Sequence, residues 1–302
     1  MHTQNQKVNL SIIKNKGITL YIKREDLIHP LISGNKYRKL KYNILAAKAA
    51  KHDTFLTFGG AYSNHIAATA YAGKKEGLHT IGIIRGEELE DKWQKNATLL
   101  LARAHGMKFK FVSREAYRNK NTLAFKEELE KEFGRFYMLP EGGTNGLAVE
   151  GCQEIITKED AFFNVITSAV GTGGTIAGII NASSELQKVI GFPALKGNFL
   201  QEDIRKFANK RNWELQNKYH FGGYGKVSPE LIQFINNFKK ETNIPLDPVY
   251  TGKMIFGLIE MIKEGCFKSG TKILAIHTGG LQGIPGMNTL LKRKKQPLLI
   301  VE

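Results

Sequence analysis

The sequence has few cysteines and few prolines, and these shortages exclude several classes of protein. Only two of its 302 residues are cysteines, Cys152 and Cys266, and neither belongs to a Cys-x-x-Cys pair. A disulfide framework and a thiolate zinc site both lack ligands, so we expect no metal centre and a reducing compartment, the cytoplasm. The eight prolines are too few for a fibrous or proline-rich chain.

Long hydrophobic runs are also absent. The longest weakly polar stretch, residues 161–171, is well short of the roughly 20 residues that a transmembrane helix needs. The first seven residues contain no apolar segment typical of a signal peptide. We therefore expect neither a membrane anchor nor a secretion signal.

Acidic residues are too few to balance the basic ones. Lysine and arginine number 44, aspartate and glutamate 28, and the formal net charge at pH 7 is +16. Such a charge favours anionic partners, among them nucleic acid, a membrane surface and small anions. Because the sequence lacks an aromatic-rich basic stretch, a zinc pattern and a recognition helix, we do not expect nucleic-acid binding.

Short β-type runs alternate with helical patterns along the whole chain. This alternation predicts an α/β fold, with a mostly parallel, twisted sheet between layers of helices. The predicted strands lie at 20–23, 54–58, 80–84, 109–112, 163–167, 219–222 and 273–277. The length suggests two domains, or one large unit with a smaller lobe. Since no linker separates tandem modules, we expect the second lobe to be an insertion.

The first turn of a helix predicted to begin near Asn35 is strongly basic. Lys36, Arg38 and Lys39 stand where the helix dipole already places about half a positive charge. Such a cluster lowers stability unless an anion binds among the cations. The pattern therefore indicates an anionic ligand. Two other helix starts are predicted by their capping residues, Ser63 and Ser228.

Three glycine-rich turns follow predicted strands, and the one at 171–175 is the richest. Its glycines, threonine hydroxyls and following helix would suit a phosphate. Ile176 replaces the third glycine of a dinucleotide fingerprint, and no Gly-Lys-Ser/Thr follows, so neither a Rossmann dehydrogenase nor a Walker A site is favoured. A single compact phosphate is favoured, with an ordinary tight turn as the alternative. The turns at 58–65 and 277–281 can face the same cleft.

Seven motifs, taken together and in order, resemble those of one enzyme family. They are 23–27 (KREDL), 34–40 (GNKYRKL), 63–65 (SNH), 139–143 (LPEGG), 171–175 (GTGGT), 247–253 (DPVYTGK) and 277–280 (HTGG). The chain is thereby similar to pyridoxal-phosphate enzymes of the tryptophan-synthase-β fold (fold type II), in the branch of D-cysteine desulfhydrase and 1-aminocyclopropane-1-carboxylate deaminase. The resemblance implies a large cofactor-binding domain (1–42 and 142–302), a smaller inserted α/β domain (43–141), a homodimer and a small amino-acid substrate.

The resemblance also implies where the cofactor, pyridoxal 5′-phosphate, would bind. Lys36 would carry it covalently, Asn35 or Asn64 would bond its 3′ oxygen, and Lys39 would help to hold its phosphate. The rest of the phosphate site would be the turn formed by Gly171, Thr172, Gly173, Gly174 and Thr175. Neighbouring cations and the helix N-terminus would lower the pKa of Lys36, as a nucleophilic amine requires.

Further residues would act on the substrate. By the same resemblance Ser63, Asn64 and His65 would present backbone and side-chain donors to its carboxylate at a helix start. Tyr250 and Tyr224 match two tyrosines that stand near the substrate in the family and assist proton movement. Lys36, Ser63, Tyr224 and Tyr250 are thus the predicted catalytic residues.

Three positions favour one activity of the family over the other. The deaminases have glutamate, leucine and glutamine where this chain has Thr251, Thr278 and His65. A threonine in place of a carboxylate near the pyridine nitrogen would leave that nitrogen neutral and the electron sink weaker. Expelling a thiolate demands less of the sink than opening a cyclopropane. We therefore predict β-elimination from D-cysteine, giving pyruvate, ammonia and sulfide.

Two alternatives stay open. One is 1-aminocyclopropane-1-carboxylate deaminase, which yields 2-oxobutyrate and ammonia, and the other is a different pyridoxal-phosphate lyase activity. Tyr62 stands where the family commonly has glutamine, and the arginine that usually follows the Ser-Asn-His segment is absent. The substrate pocket is therefore expected to differ from that of its relatives.

Overall fold

The computed structural model describes residues 2–32, 34–197 and 199–300. Within these ranges the strands are β1 Asn5–Val8, β2 Thr19–Lys23, β3 Thr54–Gly59, β4 His79–Arg85, β5 Lys108–Val112, β6 Tyr137–Leu139, β7 Val165–Val170, β8 Lys188–Pro193, β9 Trp213–Leu215 and β10 Lys272–Ile276. The helices are α1 Ser11–Asn15, α2 Asn35–Ala49, α3 Asn64–Glu76, α4 Ala97–Ala104, α5 Arg114–Arg118, α6 Leu123–Phe133, α7 Gly146–Gln153, α8 Gly174–Ala182, α9 Leu200–Arg205, α10 Pro229–Thr242, α11 Thr251–Lys263 and α12 Ile284–Arg293.

The strands form two sheets. The larger sheet has the order β1-β2-β10-β7-β8-β9, and only its edge strand β1 runs antiparallel to its neighbour. The smaller sheet, β5-β4-β3-β6, is parallel throughout. Its strands all lie between β2 and β7 in the sequence, as an insertion would. The predicted α/β class is confirmed, and the boundaries at 42/43 and 141/142 stay a prediction.

Helices cover both faces of the larger sheet, because its central strands are apolar on both sides. In β10, Ile273 and Ala275 pack with α1, α10, α11 and α12, whereas Leu274 and Ile276 face α7, α8 and α9. In the part of the chain described here, no helix is long and apolar enough to cross a membrane.

Six of the seven predicted strands are present, with ends shifted by up to three residues. The strand predicted at 219–222 is wrong. Phe221 and Gly222 have φ values of +52° and +88°, which no strand accommodates, and Tyr219 lies in a 3-10 turn packed against Phe192. The prediction missed β1, β6, β8 and β9. Three of these have only three or four residues, and β8 contains Gly191 and ends at a proline.

Both predicted helix caps are confirmed. The Ser63 hydroxyl accepts a hydrogen bond from the backbone N–H of Ile66 at 3.4 Å, at the start of α3. The Ser228 hydroxyl accepts one from Leu231 at 3.2 Å, and Pro229 follows it as the first residue of α10.

Two glycines let helices α2, α7 and α8 pack closely in a row. A Cβ added to Gly151 of α7 would stand 2.1 Å from the carbonyl oxygen of Arg38 in α2. A Cβ added to Gly178 of α8 would stand 2.5 Å from the Cβ of Cys152 in α7. Because no side chain separates these backbones, the start of α2 is held against the turn that precedes α8.

Buried ion pairs also brace this region, and they account for much of the 23–27 motif. Arg38 donates from Nε and Nη2 to the two carboxylate oxygens of Glu25 at 3.0 and 2.9 Å. Lys23 Nζ lies 2.5 Å from Asp160 Oδ2. At most 3% of any of these four side chains is exposed. One of the three cations at the start of α2, Arg38, is therefore neutralised within the protein.

The close helix packing predicts the effect of a single added methyl group. Gly151→Ala should lower the free energy of unfolding by about 1–3 kcal/mol, because the new Cβ overlaps a backbone carbonyl and outweighs the gain in helix propensity. Gly146→Ala, in the same helix with nothing within 4 Å of its added Cβ, is the matched control and should change stability by at most about 1 kcal/mol. Urea denaturation measures both values, and equal effects would refute the packing role of Gly151.

Candidate active site

One cavity brings together nearly all of the predicted site residues. It lies at the carboxyl ends of β3, β6, β7 and β10, where ligands bind in parallel sheets, and so it draws on both sheets. The predicted residues in its wall are Asn35, Lys36, Lys39, Ser63, Asn64, His65, Gly171, Thr172, Gly173, Thr175, Tyr224, Tyr250 and Thr278.

Two predicted residues lie outside the wall. Gly174 is the first residue of α8 and packs against Thr144. A Cβ added to Gly174 would stand 2.8 Å from the Thr144 side chain. Thr251 is fully buried, and its hydroxyl donates to Asp247 Oδ2 at 2.7 Å and accepts from the Asp247 N–H at 2.9 Å. Thr251 thus closes the first turn of α11, and its contact with a cofactor stays a prediction.

The amine of Lys36 is prepared for nucleophilic chemistry. Burial, followed by the charge of Lys39, lowers its pKa to about 7. Its Nζ donates to Asn35 Oδ1 at 3.4 Å. About half of this amine is therefore unprotonated at neutral pH, the form that attacks a carbonyl carbon. The direction agrees with the prediction, but burial is the main cause, and Arg38 pairs with Glu25 instead.

Lys39 links α2 to the glycine turn. Its Nζ donates at 2.9 Å to both the carbonyl of Gly142 and the hydroxyl of Thr144, and burial lowers its pKa to about 8. The Thr144 hydroxyl in turn lies 2.6 Å from the hydroxyl of Thr172. Sequence reasoning missed Thr144, for which the only signal was its place directly after the 139–143 motif.

These groups fit a phosphate monoester. Asn35 Nδ2 donates to the Thr175 hydroxyl at 2.6 Å, which joins the starts of α2 and α8. Gly173, with φ of +84°, precedes α8, and no described side chain caps the first N–H groups of this helix. Among the described residues, the cavity wall contains no carboxylate. Ammonium, hydroxyl and backbone N–H donors without a competing anion suit a bound dianion.

His65 is neutral in this environment. Its ring is 1% exposed, and burial together with Lys36 and Lys39 holds its pKa well below the usual range. Nε2 lies 2.8 Å from the Thr57 hydroxyl, whose own proton goes to the carbonyl of Leu139, so the ring proton is assigned to Nε2. Nδ1 is buried without a partner among the described residues. Nδ1 lies beside Gly143, where an added Cβ would stand 3.1 Å from it, and the role of His65 as a donor to the substrate stays a prediction.

The two predicted tyrosines stand together at the mouth of the cavity. Their rings are 6.1 Å apart in an edge-to-face arrangement. Tyr224 is 45% exposed, whereas burial raises the pKa of Tyr250 well above its usual range. Tyr250 consequently keeps its proton at neutral pH and can act as a donor.

Lys253 holds the loop that carries Tyr224. Its buried Nζ donates to the carbonyls of His220 and Gly223 at 2.9 and 2.8 Å. Burial lowers its pKa to about 8. Sequence reasoning assigned no role to this lysine, although it ends the 247–253 motif.

Comparison with known proteins agrees with this geometry. Residues 6–279 match the family described as pyridoxal-phosphate dependent enzyme. Over 295 residues the chain is 34% identical to the mitochondrial bifunctional D-cysteine desulfhydrase/1-aminocyclopropane-1-carboxylate deaminase of Arabidopsis thaliana, covering 89% of this chain and 74% of that protein. A Pyrococcus horikoshii protein, named provisionally as a 1-aminocyclopropane-1-carboxylate deaminase, is 33% identical over 292 residues (90% and 88% covered). The crystal structure of an ACC deaminase homologue, 32% identical, superposes with a TM-score of 0.81 over 96% of this chain and 94% of its own.

The lowered pKa of Lys36 predicts the site and the pH dependence of cofactor attachment. Pyridoxal phosphate followed by borohydride should label Lys36, and the initial labelling rate should rise with pH through a midpoint near 7, since only the unprotonated amine reacts. Peptide mass spectrometry locates the label. Lys36→Met should abolish it, and a label on Lys39 or Lys253 would contradict the assignment.

The contacts of Lys253 predict how its loop moves. Lys253→Met keeps the side-chain length but removes both hydrogen bonds. Amide hydrogen exchange across residues 217–226 should then become at least about 10-fold faster, because a charged hydrogen bond contributes about 1.5–3 kcal/mol. Lys226→Met changes an exposed lysine of the same loop and should leave the exchange unchanged. Equal protection in both variants would exclude the anchoring role.

Proposed function

Because the chain belongs to the family of pyridoxal-phosphate-dependent enzymes, we propose that it deaminates a small amino acid by cleaving a bond at the β-carbon. D-Cysteine is the favoured substrate, and its products would be pyruvate, ammonium and sulfide. When bound, the cofactor supplies the electron sink that stabilises negative charge at the substrate α-carbon.

The observation that carries the choice of D-cysteine is the absence of a carboxylate from the described cavity wall. Without one, no wall residue stabilises a proton on the pyridine nitrogen, and the electron sink is weaker. A thiolate leaves more readily than a cyclopropane opens. Thr278, at the wall, also offers a hydroxyl where a branched apolar side chain would suit a cyclic substrate.

The start of α3 suits the substrate carboxylate. The backbone N–H groups of Asn64 and His65 have no acceptor within the described residues, and the Ser63 hydroxyl already caps the helix. Free N–H groups in a first helical turn bind anions. They would orient the substrate with its α-carbon towards Lys36.

Proton transfer falls to two residues with different pKa values. The amine of Lys36, with a pKa of about 7, would accept the α-proton of the bound substrate. Tyr250 stays protonated and would donate a hydrogen bond, or its proton, to the departing sulfur. The pair thus supplies a base and an acid at the same pH.

The second candidate is opening of 1-aminocyclopropane-1-carboxylate to 2-oxobutyrate and ammonium. The name of the Pyrococcus horikoshii relative favours it, whereas the name of the Arabidopsis thaliana relative includes both activities. Both reactions would use Lys36 and the same carboxylate site. They differ in the strength of the electron sink that they require, because opening a cyclopropane demands more of it than expelling a thiolate.

We also propose a homodimer that works in the cytoplasm. The dimer rests on the family resemblance alone, and sedimentation equilibrium would test it. A reducing compartment is supported by both cysteines, Cys152 and Cys266, being free thiols.

The polar wall predicts the preference between the two substrates. With pyridoxal phosphate bound, the wild-type protein should act on D-cysteine with a kcat/KM at least about 10-fold above that for 1-aminocyclopropane-1-carboxylate. Release of sulfide and pyruvate measures the first reaction, and release of 2-oxobutyrate the second. Thr278→Leu should lower the ratio of the two kcat/KM values by about 10-fold, because one altered pocket contact changes discrimination by about 1–3 kcal/mol. Thr289→Leu, on an exposed face of α12, is the matched control.

Lys36→Ala measures the uncatalysed background in the same assays. Production of 2-oxobutyrate by the wild-type protein without release of sulfide from D-cysteine would refute the proposal and select the deaminase.

A further inference from the structure

A second, larger cleft opens outward from the cavity. It has a volume of about 600 Å³ and shares part of the cavity wall, including Gly142, Gly171, Tyr224 and Tyr250. Loops that follow strands of both sheets form its outer wall, which includes Arg85 at the end of β4. A substrate as small as cysteine needs little of this space. The cleft therefore has room for a longer substituent on the β-carbon.

The carboxylates that line this cleft are already paired. Glu141 accepts a hydrogen bond from the Tyr117 hydroxyl at 3.0 Å and lies 3.4 Å from Lys120 Nζ. Asp203 lies 2.6 Å from Lys206 Nζ. Within the described ranges, no carboxylate pairs with Arg85. The cleft thus retains one uncompensated guanidinium charge.

Arg85 is placed where it can reach a substrate. It is the last residue of β4, at the carboxyl end of a parallel strand, and its guanidinium carbon lies 5.7 Å from the centre of the buried Tyr117 ring. Its Nη2 would lie 3.9 Å from a Cβ on Gly60. The N–H of Ser63 donates to the carbonyl of Gly60 at 3.0 Å. The guanidinium and the proposed carboxylate site therefore border the same short loop.

Resting on the proposed function, we propose that Arg85 binds a second carboxylate, carried on the β-substituent of the substrate. The substrate class is then a β-substituted amino acid whose leaving group is itself anionic. A guanidinium forms two parallel hydrogen bonds with a carboxylate, which gives direction as well as attraction. Neutral substituents of the same size would lose this interaction.

The reaction needs no oxidant or reductant. The Cα–H and Cβ–S bonds break, the α-proton goes to Lys36, and the sulfur leaves with the bonding electron pair and takes up a proton. The released 2-aminoacrylate then adds water and yields pyruvate and ammonium. For an S-carboxymethyl substituent the leaving group is thioglycolate.

Two nearly isosteric substrates test the proposal. S-Carboxymethyl-D-cysteine and S-carbamoylmethyl-D-cysteine both yield pyruvate, but only the first carries the second charge. The loaded wild-type protein should turn over the first with a kcat/KM at least about 10-fold higher, the effect expected of a charged hydrogen bond. Arg85→Gln should reduce that ratio to near one, and Arg85→Lys should keep part of it. Arg211→Gln, an exposed arginine at the amino end of β9, should keep all of it.

The outcomes separate this inference from the proposed function. Suppose that the wild-type protein turns over D-cysteine but has equal kcat/KM values for the two derivatives, or that Arg85→Gln leaves their ratio unchanged. Either result overturns the role of Arg85 and leaves the proposed function standing. If D-cysteine is not a substrate, calorimetric binding of the S-carboxymethyl compound that depends on Arg85 supports the role of Arg85 and refutes the favoured substrate. Failure to bind or turn over either derivative also overturns the inference.

Discussion

Two lysines enclosed at the start of one helix constrain the rest of this structure. Lys36 lies in the first turn of α2, where the helix dipole is already positive, and Lys39 begins the second turn. Burial lowers their pKa values to about 7 and 8. Among the described residues, no carboxylate of the cavity wall compensates them. An unpaired buried charge costs several kcal/mol, so these amines are partly neutral in the folded protein. The hydroxyl and backbone N–H donors around them can bind an anion.

The packing of α2, α7 and α8 makes this arrangement possible. Gly151 and Gly178 allow the helix backbones to approach, and two N-terminal ends then point at one space. The third cation at this end of α2, Arg38, is removed from that space by its bidentate pair with Glu25. The remaining positive charge of this helix start thus lies on the two lysines, which are the predicted phosphate ligand and the predicted reactive amine.

Positive charge without a carboxylate also sets the character of the chemistry. In the proposed function it would favour a substrate carboxylate at the start of α3 and would leave the pyridine nitrogen of a bound cofactor without a partner that holds its proton. His65 adds no positive charge, because its pKa lies well below the usual range, and Tyr250 keeps its proton at neutral pH. Arg85 lines the outer cleft, and its proposed role would extend the same positive charge to the substituent of the substrate.

The sequence by itself determined the features that depend on neighbours in the chain. These are most of the strands, helix α2 with its basic first turn, the caps of Ser63 and Ser228, and an ordered set of motifs specific enough to identify the family. Tertiary structure decided which side chains meet. Lys39 reaches Thr144 across 105 positions, Lys253 reaches the loop of Tyr224, and Thr251 turns to Asp247. Among the residues that the structure describes, Arg85 has no carboxylate partner. Such contacts, and the burial that sets each pKa, depend on the packing of distant segments, and no local pattern encodes that packing.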